Sequence, residues 1–194
     1  MYRVLSVVVT AASLLVTLPA DAQNLNGKLK GDYAVTVTGF CAQASTPFTP
    51  ESQSTNTVSP LHRVVETKRS YDGEGNVSIT GRSFQLASTA TAPGSFPVSE
   101  SEFTCSGTYQ VNDDLTFSEA ITCAGNIIVG AGAGLTFTQE PTTTKARIHK
   151  KKILFSDTRG QPQTVIQVQG VPTQSFRLCA SNGIGVKIKE DNEN

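Results

Sequence analysis

Few side chains in this sequence are placed to do chemistry. Glu119 is the one acid on the apolar face of the alternating stretch Phe103 to Cys123. That face carries Phe103, Cys105, Gly107, Tyr109 and Val111, then Leu115, Phe117, Glu119, Ile121 and Cys123. If the stretch folds back on itself about Asp114, Tyr109 stands opposite Glu119 and Gly107 opposite Ile121. A carboxylate facing a phenol inside a core could act as a general acid or base, or could anchor a ligand's polar group. It could also be a plain structural hydrogen bond. Arg69 shares its strand parity with Tyr71, so it is expected to point inward and pair with Glu119. Tyr109, Glu119 and Arg69 are therefore the candidate ligand-binding residues, and no catalytic set is assigned.

Other chemistries lack their parts. A serine nucleophile needs a base held by an acid, and there is no G-x-S-x-G. The two histidines, His62 and His149, lie on polar strands, far in sequence from any cysteine, and no C-x-x-C occurs; no metal site is expected. The glycine-rich run Ala124 to Gly134 has neither the Gly-Lys-Ser/Thr of a phosphate loop nor a helix after it, so it reads as a tight bend and no cofactor is expected. The basic run Lys150-Lys151-Lys152 reads as a solvated strand or edge protection. Sixteen basic residues balance sixteen acidic ones, which does not suit a nucleic-acid binder.

The cysteines speak to compartment. The chain starts Tyr2-Arg3, continues with an apolar run from Val4 to Leu18, and reaches Ala20-Asp21-Ala22. A basic start, a short apolar core and an A-x-A ending describe a signal peptide over residues 1–22, cut after Ala22. The run is too short to span a bilayer, so no integral membrane segment is expected after cleavage. The expected location is secreted or periplasmic, where four cysteines form two disulfides. In the hairpin register centred on Asp114, Cys105 faces Cys123, and a one-residue slip would send them to opposite faces.

These residues need a scaffold of strands. Residues 23–194 read as a single domain with no amphipathic helix. The first strand is Gly31 to Phe40, and Cys41 ends it. Further strands follow at Leu61 to Asp72, Val77 to Phe84, in the two arms of the hairpin, at Gly134 to Gln139, Thr143 to Ser156, Thr164 to Gln169, Thr173 to Ala180 and Ile184 to Ile188. Long loops are expected near residues 42–60 and 85–101. This is an all-β chain, and an antiparallel up-and-down β-barrel of about eight strands removes its edges; a β-sandwich is the alternative. A membrane barrel would fit the length, but the strands carry no Trp and no aromatic girdle. Barrel closure would bring Cys41 near Cys179. Against that pairing, Cys179 shares parity with Arg177, while Phe176 and Leu178 occupy the other face, so a bulge or a strand end is expected to reset the alternation if Cys179 points inward.

Gly31-Asp32-Tyr33-Ala34-Val35 recurs as Gly107-Thr108-Tyr109-Gln110-Val111, a G-x-Y-x-V pattern opening a strand. With Asp72-Gly73-Glu74-Gly75-Asn76-Val77 and Arg177-Leu178-Cys179-Ala180-Ser181-Asn182-Gly183, it resembles exported bacterial proteins of unknown function in the calycin-like, allene-oxide-cyclase-barrel-like group. The resemblance implies an eight-stranded barrel with a small interior cavity, and no activity. Three functions compete. One is a binding module holding a small apolar ligand in the barrel. The second is a structural or cell-surface protein with a filled core whose loops meet a protein partner. The third is an isomerase-like enzyme.

Overall fold

The computed structural model describes residues 24–49, 54–55, 57–87, 98–157 and 163–188. The expected signal peptide and parts of both long loops lie outside them. Among the described residues, nine strands follow a short 3₁₀ turn, Leu25–Lys28: β1 Lys30–Ala44, β2 Ser59–Asp72, β3 Asn76–Ala87, β4 Val98–Val111, β5 Thr116–Val129, β6 Thr136–His149, β7 Lys152–Asp157, β8 Thr164–Val168 and β9 Ser175–Lys187. Neighbours in sequence pair antiparallel from β1 to β7, and β1 pairs with β9. The sheet is a closed eight-strand antiparallel barrel with β8 as an extra strand. β7 and β8 both lie between β6 and β9: β7 pairs with their lower halves and β8 with their upper halves. They occupy one slot of the wall in two pieces.

The hairpin has the expected register. Cys105 faces Cys123, Gly107 faces Ile121 and Tyr109 faces Glu119. Leu115 departs from the expectation: it sits exposed in the turn with φ 61°, not on the inner face. Asp114 caps this turn, its carboxylate accepting from the Thr116 amide at 3.0 Å. At Gly107 a Cβ would lie 2.0 Å from the Ala120 carbonyl oxygen, so the close approach of β4 and β5 requires glycine there. Both disulfides join directly paired residues, Cys105–Cys123 across β4 and β5 and Cys41–Cys179 across the β1–β9 seam.

No bulge was needed for the seam. The β1–β9 register runs unbroken from Tyr33↔Lys187 to Ala44↔Phe176. Cys179 points inward and Arg177 points inward with it; the assumption that failed was that an arginine must face solvent. A second correction concerns β6. Two strands were expected on either side of Pro141, but β6 is continuous, with a bulge between the pairs Ile121↔Thr142 and Cys123↔Gln139. The bulge moves the inner face from Phe137 and Gln139 to Thr142, Thr144, Ala146 and Ile148, and it absorbs the proline's missing donor. The break comes instead at Lys150, φ 57°, so the lysine run forms the β6–β7 turn. The loops are also shorter than expected, because β1 runs to Ala44, β3 to Ala87, and β4 starts at Val98.

The barrel is filled unevenly. At one end, Tyr33, Tyr71, Tyr109, Phe117 and Phe155 pack edge to face, with ring centroids 5.1–6.2 Å apart. The 3₁₀ turn plugs this end. Leu29 is fully buried, and Asn26 Oδ1 accepts from the Val111 amide at 2.9 Å. The end bearing the longer connections is less densely packed and holds the cavity.

Candidate functional site

A buried polar cluster marks the boundary between the packed and the hollow halves. Arg69 and Tyr71 project inward from β2, Glu119 from β5 and Thr144 from β6. Glu119 is fully buried and Arg69 is 7% exposed. The Arg69 guanidinium pairs with Glu119 Oε2 through Nη1, and the Tyr71 hydroxyl donates to Oε1. Thr144 Oγ1 donates to Oε2 at 3.0 Å. The Arg69 guanidinium lies 4.5 Å from the centroid of Phe155. Burial is the strongest single influence and pulls the Arg69 pKa down, but Glu119 and Tyr71 together outweigh it and the net direction is upward. Burial, reinforced by the Glu119 charge, pushes the Tyr71 phenol well above the ordinary tyrosine range. The pair is thus an ion pair with a neutral phenol beside it.

Tyr109 does not join this cluster. It stands opposite Glu119 in register, yet its hydroxyl turns to the plug, donating toward the Leu29 carbonyl at 2.8 Å and the Asn26 carbonyl at 3.1 Å. It also accepts from the Gly73 amide at 2.9 Å. The phenol that holds Glu119 is Tyr71. Tyr71 shares the inner face of β2 with Arg69, and that shared parity was the signal that could have found it.

Above the cluster lies a cavity of about 140 Å³. Val65, Ile79, Phe103, Ile121 and Phe137 contribute apolar wall, and both disulfides line it. Of the three candidates, Arg69 lines this cavity; Tyr109 and Glu119 do not. Two arginines that the sequence reading passed over line it as well. Arg63 extends from β2 and Arg177 from β9, both partly buried. Arg63 Nε donates to Ser83 Oγ at 3.0 Å, and Arg177 Nε donates to Gln43 Oε1 at 2.8 Å. Burial lowers the Arg63 pKa to about 10. Burial, with the neighbouring charge of Arg63, lowers that of Arg177 to about 9. Both stay protonated at neutral pH. Among the described residues no group of histidine, cysteine and acidic side chains is arranged to hold a metal.

Comparison with protein-family models, with curated proteins and with solved structures gave no match to this chain. The two disulfides, and the lack among the described residues of any helix long and apolar enough to cross a membrane, are consistent with an extracellular or periplasmic location.

Proposed function

We propose that this chain is an exported binding module that takes a small, largely apolar molecule into its barrel. The observation that carries this reading is the cavity. An apolar cavity of about 150 Å³ is enough to admit benzene, and the space here is of that size. Export rests on the basic start, apolar run and A-x-A ending of residues 1–22 and on the two disulfides. In this reading the barrel is grouped with the calycin-like, allene-oxide-cyclase-barrel-like exported proteins, a grouping supported by the resemblance of its G-x-Y-x-V repeat.

A filled-core structural role would leave no room above Arg69. An isomerase would need a free acid or base facing the ligand, and Glu119 is fully engaged by Arg69, Tyr71 and Thr144, away from the cavity wall. Native mass spectrometry of protein purified from its source tests the proposal. A bound small molecule released on unfolding supports it. A bare mass, with no perturbation of amide resonances at Ile79, Phe103 or Ile121 on titration with toluene, refutes it.

A further inference from the structure

Among the described residues, the charge inside the barrel does not balance. Among the described residues the wall of the cavity contains Arg63, Arg69 and Arg177 and no acidic side chain; Lys145 borders it but is exposed on the outward face of β6. Glu119, the one buried acid among the described residues, is engaged by Arg69 just beneath the cavity. Arg63 and Arg177 are each held through Nε by a neutral oxygen, from Ser83 and from Gln43. Those bonds orient the guanidiniums without neutralising them, and no carboxylate among the described residues meets their terminal nitrogens. Partly buried cations left without a counter-charge are unfavourable.

The placement is also organised. β1 separates β2 from β9, and its Cys41, bonded to Cys179, lies between the two arginines. Gly39 is the β1 partner of Arg63, so no side chain from that position stands in the space between them. Gln85, Ser101 and Thr164 add neutral polar groups to the same end of the cavity, while Phe103 and Ile121 continue the apolar wall toward Arg69. A guanidinium's planar fork matches a carboxylate with two parallel hydrogen bonds.

Building on the proposed binding role, we infer that the ligand is a small organic carboxylate, its anionic group held by Arg63 and Arg177 and its short apolar body lying against Phe103 and Ile121. The anion supplies the counter-charge that the described residues of the wall lack. The cavity volume limits the body to about the size of a benzene ring.

Isothermal titration of benzoate, benzyl alcohol and inorganic phosphate into the oxidised protein tests this. Benzoate is expected to bind about tenfold or more tightly than the isosteric alcohol, and to weaken as salt rises. Arg63→Gln and Arg177→Gln should each weaken benzoate about tenfold while leaving the alcohol unchanged. Both variants should melt no lower than wild type, since each removes an uncompensated charge. Arg177→Lys, which keeps the charge and loses the fork, should fall between wild type and Arg177→Gln. Phosphate displacing benzoate supports the arginine pair as the anion anchor; phosphate binding that both glutamine variants leave intact overturns it. If benzoate and benzyl alcohol bind equally, or if both glutamine variants bind benzoate like wild type, the anion inference fails and the binding module stands. If neither organic probe binds, both fail.

Discussion

Replacing Arg69 by leucine should be among the most damaging single changes in the barrel. Arg69 is 7% exposed and Glu119 is fully buried, so the variant strands a carboxylate in the core with only Tyr71 and Thr144 as donors. Breaking a buried ion pair from one side costs about 3–5 kcal/mol. For a chain of this size each kcal/mol lowers the melting temperature by about 2–4 °C, giving a drop of about 6–20 °C. Glu119→Leu should cost as much, because it strands Arg69 and orphans the Tyr71 hydroxyl. The double variant Arg69→Leu/Glu119→Leu removes both charges. It should cost only about 1–3 kcal/mol, the penalty of the unpaired Tyr71 hydroxyl. Adding Tyr71→Phe should recover most of that. Urea unfolding followed by circular dichroism gives each value, and the double-mutant cycle gives the coupling. A double variant as unstable as the sum of the singles, or an Arg69→Leu loss below about 1 kcal/mol, would refute a buried, mutually dependent pair.

Tyr71→Phe should cost about 1.5–3 kcal/mol at neutral pH, the range for a hydrogen bond to a charged group. Because the folded state raises the Tyr71 pKa above its ordinary value near 10, its contribution is whole below pH 10 and declines as pH rises beyond it. Urea midpoints from pH 7 to 11 should therefore fall less steeply above pH 10 in the variant, with buried Tyr33 and Tyr109 accounting for what slope remains. The bridges should differ in weight: with sequence separations of 138 and 18, removing Cys41–Cys179 as a serine pair should cost about 5 kcal/mol, and removing Cys105–Cys123 about 3, by chain-entropy reasoning. Equal losses in calorimetric unfolding would contradict that order. Gly107→Ala forces a methyl to within 2.0 Å of the Ala120 carbonyl oxygen and should lower stability by about 1–3 kcal/mol or more, whereas Ala at exposed Gly27, which has no positive φ, would meet no neighbouring atom. A Gly107→Ala protein with a wild-type melting curve would show that β4 and β5 lie further apart.

Strand alternation and paired cysteines made much of the barrel legible. In the Phe103–Cys123 hairpin each pattern checks the other, because one register alone satisfies both. The seam was legible only in part: barrel closure brings Cys41 near Cys179, but the alternation around Arg177 spoke against the bridge that the structure has. The polar interior is less legible from alternation alone. Arg177 counted against the seam because a charge was assumed to face water, yet its parity with Cys179 was correct evidence that it faces in. Arg63 likewise shares the parity of Val65, Arg69 and Tyr71. Tyr109 was chosen over Tyr71 because it is the direct cross-strand neighbour of Glu119. Long side chains reach past direct neighbours, and the carbonyls of Asn26 and Leu29 draw Tyr109 to the plug. Those carbonyls belong to a short turn with no periodicity of its own, so nothing local announced them. Pro141 read as a strand break because a bulge that accepts it depends on the partner strand.

The most direct test of ligand binding in the barrel is a crystal structure of the protein grown with benzoate. Density for the ring is expected inside the barrel near Phe103 and Ile121, with the carboxylate between Arg63 and Arg177. Benzoate found only on the outer wall, or an interior filled by side chains, would contradict the binding role.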